Sequence, residues 1–188
     1  FHDRELKIIG GVVVLDANTM EVVETSYASE AIIYPYTPGL YTNREVTLLK
    51  EAFGKLKNKP DIIISDSNEV VHPRMVSLAN HLGIELDIPT IGCANKILLG
   101  QYDRLDKPFG SQANLYYDGH LTGRVLRSKC EEEPIYVTIG HKISLDTSTH
   151  WILKTLDGNR LPKPISKVEN YVFSKLLGIT NFPRFLPN

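Results

Sequence analysis

The order of the predicted strands and helices is the feature of this sequence that most constrains its fold. Apolar and β-branched runs predict strands, and an apolar residue at every third or fourth position predicts helices. In chain order the elements are strands at 6–16, 21–27 and 31–34, a helix at 43–57, a strand at 62–65, a helix at 73–82, a strand at 88–92, a loop at 101–113, a hairpin within 115–126, a strand at 135–139 and helices at 146–156 and 166–177. Hairpin strands followed by alternating helices and strands predict an α/β fold, with a mixed sheet and helices on both faces.

Composition narrows the class of protein. A chain of 188 residues suits one domain, so we predict a single domain over residues 1–188. The net charge of −1 gives no global basic field, so a nucleic-acid site would have to be a local patch. No apolar run approaches the roughly 18 residues of a membrane span. The two cysteines form no CxxC pair and fit a reducing compartment, so we expect a cytoplasmic protein. We also expect a monomer, with no membrane partner.

The stretch at 62–74 carries the first chemical signal. Its apolar run stops at Asp66, and the loop that follows contains His72 and Arg74. Ligand sites in such sheets lie at the carboxyl ends of strands, where a carboxylate can place a metal ion against a phosphate. The alternative is that Asp66 merely caps the strand or opens a turn, and this stretch alone does not separate the two.

Two further residues are candidates for the same site. Glu45 is predicted in the first turn of its helix, and His141 follows the strand at 135–139. Two carboxylates from separate elements can bind Mg²⁺, which polarises a phosphodiester and activates water, while a nearby histidine moves protons. Both residues also have structural interpretations, since the helix dipole favours a first-turn glutamate and His141 fits a half-buried structural histidine. We expect Asp66, the Gly92 region and His141 to lie at the carboxyl ends of their strands.

The segment from Tyr34 to Tyr41 holds Tyr36 between Pro35 and Pro38. Two prolines stiffen a loop, and a rigidly held aromatic ring can stack on a base or wedge between bases. The alternative is a proline-braced loop whose tyrosine covers the core.

Taken together, these stretches resemble the endonuclease V family, from roughly residue 8 to residue 175. The matching stretches are Pro35-Tyr-Thr-Pro-Gly-Leu with Arg44-Glu45, Lys59-Pro-Asp-Ile-Ile-Ile-Ser-Asp66, His72-Pro-Arg74, Asp87-Ile-Pro-Thr-Ile-Gly92, Gly140-His141 and Arg160-Leu-Pro-Lys-Pro164. The resemblance implies a ribonuclease-H-like fold and a nuclease that uses Mg²⁺ or Mn²⁺ to cut nucleic acid near inosine. Bacterial and archaeal members act mainly on deoxyinosine in DNA, cutting the second phosphodiester 3′ to the lesion.

The resemblance also implies roles for individual residues. Glu45 and Asp66 match metal-binding carboxylates, and His141 matches the active-site histidine. Tyr36, with Pro38, matches the wedge that fills the gap left by a flipped-out base. Arg44 and His72 are the other expected nucleic-acid contacts, and His72 would lie near the base pocket.

Four departures from the family pattern stand beside these matches. Ser67-Asn68-Glu69 replaces a Gly-x-Gly that lets the backbone approach the base. Asn95 stands where the family has a lysine near the scissile phosphate, and Lys96, one residue later, is the candidate to replace it. Ser144 stands where the family has an aspartate after the histidine.

The fourth departure concerns the first metal-binding aspartate, which counting along the family pattern places just before Phe1. We therefore expect this sequence to be a fragment that lacks the first, central strand. The rival interpretation makes Asp16 the missing acid, although Asp16-Ala-Asn-Thr is typical of a surface turn, and Asp3 is a weaker candidate.

Three functions follow from these observations. The leading one is a metal-dependent endonuclease that cuts DNA, or RNA, 3′ to deaminated bases such as inosine, in DNA repair. The second is a catalytically impaired homologue that binds deaminated nucleic acid without cleaving it, which Asn95, Ser67 and the absent aspartate favour. The third is a small-molecule hydrolase on the same fold, in which Tyr36 has no evident role.

Overall fold

The computed structural model describes residues 7–31, 41–66, 77–97 and 99–178, apart from the side chains of 41–44. The chain forms two compact units. The first comprises residues 1–59 and 166–188, and the second comprises residues 60–165. This division is finer than the single domain predicted over 1–188, because the residues of each unit pack mainly on one another. No helix among the described residues is long and apolar enough to cross a membrane.

The first unit is built on an antiparallel hairpin. Strand β1 (Lys7–Leu15) pairs with β2 (Val22–Ala31), and helix α1 (Tyr41–Gly54) follows. The strands predicted at 6–16 and 21–27 are confirmed, whereas most of the strand predicted at 31–34 lies outside the described residues. Helix α1 begins two residues earlier and ends three residues earlier than the predicted 43–57. The last helix, α4 (Lys163–Leu176), contributes its residues from Ser166 onward to this unit.

Helices cover both faces of this hairpin. The Ser26 hydroxyl donates to the Ala52 carbonyl of α1 at 2.7 Å, and Ala28 packs with Leu48 and Ala52. Tyr27, between Ser26 and Ala28, meets the ring of Tyr171 in α4, with 6.4 Å between ring centroids. Successive side chains of a strand point to opposite faces, so α1 and α4 lie on opposite sides of β2.

The second unit contains a six-stranded mixed sheet in the order β3-β4-β8-β7-β6-β5. Its strands are β3 (Ile63–Asp66), β4 (Thr90–Ala94), β5 (Gln101–Tyr102), β6 (Gln112–Tyr117), β7 (His120–Leu126) and β8 (Ile135–His141). Strands β3 and β4 are parallel, and every other neighbouring pair is antiparallel. Asp118 and Gly119 both have positive φ, 49° and 75°, as the predicted hairpin turn requires. The short strand β5 lies inside the segment predicted as a loop.

Helices α2 (Leu78–Leu86) and α3 (Leu145–Lys154) pack on opposite faces of this sheet. The Thr90 hydroxyl donates to the Ala79 carbonyl of α2 at 2.8 Å. On the other face, Ile91 belongs to the buried cluster that contains Ile152 of α3. Because Thr90 and Ile91 are consecutive in β4, their side chains point to opposite faces. The predicted placement of helices on both faces is thus observed in each unit.

The start of α2 differs from the predicted helix at 73–82. The helix begins after Ser77, whose hydroxyl accepts from the Asn80 backbone N–H at 3.2 Å, while the Asn80 side chain accepts from the Ser77 N–H. This reciprocal capping satisfies backbone donors that would otherwise lack partners. Serine at a helix cap therefore fixes the boundary, and Pro73 lies outside the described residues.

Candidate active site

Asp66 is the last residue of β3, as predicted, and pairs with Cys93 in β4. The two strands are parallel, so Asp66 lies at the edge of the sheet that is formed by the carboxyl ends of β3 and β4. Its side chain is half-buried, and burial raises the pKa of its carboxyl group. No cation or hydrogen-bond donor in the described part of the chain offsets that burial. A half-buried carboxylate in this condition is well suited to accept a cation.

Asn95 and Lys96 follow β4 directly and therefore lie at the same edge as Asp66. The backbone at these two residues is a bend rather than a helix, with Asn95 half-buried and Lys96 exposed. The structure thus brings Asp66 and Lys96 to one edge of one sheet. Whether Lys96 takes the place of the family's lysine near the phosphate stays a prediction.

Arg160, for which the matching stretch Arg160-Leu-Pro-Lys-Pro164 predicts no role, also contributes to this edge. It is half-buried, and its guanidinium donates to the Asn95 carbonyl at 2.7 Å. The two residues are 65 positions apart in the chain, so no local pattern could have indicated the contact.

His141 does not lie at this edge, so the expectation that its strand ends beside Asp66 is wrong, whereas its role as an active-site residue stays a prediction. Strand β8 runs antiparallel to β4, so His141 pairs with Thr90, at the beginning of β4. Asp66 pairs with Cys93, three residues further along β4, and β3 and β8 flank β4 on either side. That offset amounts to about 10 Å along the strands and about 10 Å across them. His141 lies at the end of a strand, as predicted, but that strand runs in the direction opposite to β3 and β4.

His141 contacts residues of β4 and of the end of α2. Its backbone N–H donates to the Thr90 hydroxyl at 2.8 Å, and its Nε2 lies 3.4 Å from Oδ1 of Asp87. The Lys142 ammonium is 2.6 Å from the same Asp87 oxygen. Lys142, and after it His141, hold the pKa of the Asp87 carboxyl below its ordinary value. Asp87 is the left-handed C-cap of α2, so this cluster joins the end of α2 to the end of β8.

We expect His141→Gln to keep nuclease activity, because the side chain lies away from Asp66. The single-turnover cleavage rate should stay within about threefold of wild type, since loss of a catalytic acid or base costs roughly 10²-fold or more. The thermal midpoint should fall, because the contact with Asp87 is lost. A cleavage rate lowered a hundredfold in a variant with an unchanged midpoint would restore His141 to the catalytic group.

Glu45 lies in α1 of the first unit and is half-buried. Because α1 begins at Tyr41, Glu45 is the fifth residue of the helix, and the first turn contains no acidic residue. The helix dipole stabilises acidic groups mainly in the first turn, so it gives little reason for a glutamate at position 45. Its role as a metal ligand stays a prediction.

Several predicted nucleic-acid contacts lie outside what the structure describes. These are Tyr36, Pro38 and His72, and the side chain of Arg44. Their roles stay predictions, as does the effect of Ser67-Asn68-Glu69 on a base pocket.

Asp16, the rival candidate for the first acid, lies in the turn between β1 and β2. Its Oδ1 accepts from the backbone N–H groups of Asn18 and Thr19 at 2.9 and 2.8 Å, and the residue is exposed. The surface-turn interpretation of Asp16 is therefore confirmed. Among the described residues, no three or more His, Cys, Asp or Glu side chains are grouped to hold a metal ion. The Mg²⁺ site expected at Asp66 stays a prediction.

Comparisons with known proteins agree on one family. The sequence model of endonuclease V matches residues 1–170. Endonuclease V of Dictyoglomus thermophilum is 44% identical over 167 residues, which cover 89% of this chain and 73% of that protein. The crystal structure of endonuclease V from Streptomyces avermitilis superposes with a TM-score of 0.87 at 31% identity, covering 96% of this chain and 79% of that one.

A more distant structure extends the comparison of the fold. Endonuclease V of Ciona intestinalis, in complex with a 24mer DNA containing an inosine followed by a ribo-adenosine, gives a TM-score of 0.72 at 22% identity, covering 92% of this chain and 80% of that one. With the mixed sheet and its flanking helices, these likenesses confirm the ribonuclease-H-like fold. A match over residues 1–170, with 44% identity to a named relative, establishes that this chain belongs to the endonuclease V family.

Proposed function

We propose that this protein is a metal-dependent endonuclease that cuts DNA 3′ to deaminated bases such as inosine, and that it acts in DNA repair. Membership of the endonuclease V family supports the nuclease reaction. The Ciona relative, bound to DNA that contains an inosine, supports this class of substrate. RNA that contains inosine is the second substrate to test.

The observation that carries the proposal is the state of Asp66. Its carboxylate is half-buried at a sheet edge, its pKa is raised by burial, and the described residues supply no partner for it. A group in this state gains free energy when a cation arrives, because the cation favours the charged form.

Asp66 is the residue that would hold Mg²⁺, or Mn²⁺ in its place, and the assignment of Glu45 as a further metal ligand rests on the resemblance of the motifs alone. The ion, when bound, supplies Lewis acidity and a more nucleophilic water. Asp66 contributes a fixed oxygen ligand, because a strand end has little freedom to move. Lys96 contributes a positive charge at the same edge, where it would stabilise charge that develops on the phosphate oxygens. We propose no proton transfer by His141, which lies at the other edge of the sheet.

Tyr36 and Pro38 would fill the gap left when the damaged base leaves the stack. Arg44 and His72 would contact the backbone and the base. These four assignments rest on the resemblance of the motifs alone.

The experiment is a cleavage assay on 5′-labelled strands that carry one inosine in DNA or in RNA. With Mg²⁺ we expect one product, cut at the second phosphodiester 3′ to the inosine, and no product with EDTA. A strand with adenine at that position is the matched control. Binding to the inosine strand without any cutting would favour the impaired homologue that only binds.

A further inference from the structure

Arg160 makes contacts that tie two distant segments of the second unit together. Its Nε donates to the Glu133 carbonyl at 2.7 Å, and its Nη2 donates to the carbonyls of Asn95 at 2.7 Å and Pro134 at 2.9 Å. All three acceptors are backbone oxygens, so the guanidinium binds the chain itself rather than a side chain. The planar guanidinium presents several donors in fixed directions, which suits such a clamp.

The clamped segments meet at the edge of the sheet that contains Asp66. Asn95 directly follows β4, and Pro134 directly precedes β8. Because β4 and β8 are antiparallel neighbours, the end of one strand lies beside the start of the other. Asp66 pairs with Cys93, two residues before Asn95, so Arg160 acts at the same edge.

We propose that Arg160 is a positioning residue for the nuclease reaction, and that it fixes the backbone at Asn95 so that Lys96 is presented to the scissile phosphate. This inference rests on the proposed function. The segment that carries Lys96 has no helical backbone to hold it, and Lys96 itself is exposed. The hydrogen bond from Arg160 to the Asn95 carbonyl fixes the residue immediately before it.

The chain offers a matched control in Arg127. It is also half-buried and also donates to backbone carbonyls, to Asp106 at 3.4 Å and to Glu132. Neither acceptor is one of the residues that follow β4, although Glu132 directly precedes Glu133, which Arg160 binds. Arg127→Lys therefore loosens hydrogen bonds of the same kind and leaves the bond from Arg160 to the Asn95 carbonyl in place.

The first measurement is hydrogen exchange of the backbone amides at residues 95–97 in the whole protein. Arg160→Lys keeps the charge, but the three N–H donors of lysine lie on one nitrogen, so they cannot reproduce the bonds that Nε and Nη2 make to three carbonyls. We expect exchange at 95–97 to rise about tenfold or more in Arg160→Lys and to stay unchanged in Arg127→Lys. Unchanged exchange at 95–97 in Arg160→Lys would overturn the inference without any reference to activity.

The second measurement is single-turnover cleavage of the inosine strand. Arg160→Lys should slow cleavage by about 10- to 100-fold, with the Kd for the uncut strand within about threefold, because misplacement of a catalytic group mainly affects the rate. Arg127→Lys should leave the rate unchanged.

A double-mutant cycle identifies Lys96 as the group that Arg160 positions. In a Lys96→Met background, Arg160→Lys should add less than about a threefold further loss, since residues that act together are not additive. Fully additive losses would mean that Arg160 acts elsewhere and would overturn the inference. Failure of the wild-type protein to cut is a different result, which counts against the proposed function itself.

Discussion

Replacement of Asp66 by asparagine is expected to abolish cleavage, with the single-turnover rate falling about 10³-fold or more. Asparagine has nearly the same shape, so the change removes the charge that would hold the cation. The loss of several kcal/mol of stabilisation of the developing charge corresponds to this factor. Asp61→Asn is the matched control, because Asp61 is exposed just before the same strand, and its rate should stay within about twofold of wild type.

The same variant should be more stable than wild type when metal is removed. Burial raises the folded-state pKa of Asp66. A group with a raised pKa contributes stability only below its unfolded pKa, and that contribution is lost as the pH rises through the folded pKa. As the pH rises through the folded-state pKa, wild type therefore loses stability that an asparagine at this position does not lose.

Urea unfolding in EDTA measures this effect. We expect a higher free energy of unfolding for Asp66→Asn than for wild type at pH 7, and a difference that shrinks towards pH 4 as the wild-type carboxyl group takes up its proton. Added Mg²⁺ should raise the thermal midpoint of wild type and leave that of the variant unchanged. A variant that unfolds more readily than wild type at pH 7 in EDTA would show that Asp66 makes a stabilising contact and is not an unpaired ligand.

The sequence predicts the elements of this fold better than their directions. Apolar runs and turn residues indicate β1, β2 and the hairpin at Asp118-Gly119, because burial and turn geometry depend on neighbours in the chain. The same rule places Asp66 at a strand end. The apolar pattern does not show whether two neighbouring strands run parallel or antiparallel, since side chains alternate with a period of two in either case.

The direction of β8 explains why the predicted position of His141 is wrong. The meander β6-β7-β8 reverses the chain at each connection, and β8 arrives antiparallel to β4. The end of β8 therefore lies where β4 begins. Contacts such as Arg160 with Asn95 were equally out of reach of the sequence, because they depend on the packing of segments 65 residues apart.

Gly140→Ala is expected to be the most destabilising single methyl addition in the second unit. Gly140 is the extra residue of a bulge in β8, because Thr90 pairs with His141 while Ile91 pairs with Ile139. A Cβ at this position would lie 2.2 Å from the Thr90 hydroxyl and 2.4 Å from the Thr90 carbonyl oxygen. Backbone atoms of a central strand cannot move aside, so we expect a loss of about 3 kcal/mol.

Hydrogen bonds around the bulge add to that cost. The Thr90 hydroxyl accepts from the His141 N–H and donates to the Ala79 carbonyl, both at 2.8 Å. The Gly140 carbonyl accepts from the Asn80 side chain at 2.7 Å. A methyl group that displaces Thr90 disturbs both hydrogen bonds of its hydroxyl, and a shift of Gly140 disturbs the third. Thr90→Ala should not rescue Gly140→Ala, because the clash with the Thr90 carbonyl oxygen remains.

Thermal unfolding tests this prediction, with an expected fall in midpoint of about 6–12 °C for a chain of this size. Gly54→Ala is the control, because a Cβ there meets no atom within 4 Å, and alanine at the end of α1 should leave the midpoint equal or higher. Since the bulge lies at the edge opposite Asp66, the folded fraction of Gly140→Ala should cut at close to the wild-type rate. A midpoint equal to that of wild type would mean that Gly140 does not face Thr90. It would contradict the β4–β8 register from which the distance between His141 and Asp66 is inferred.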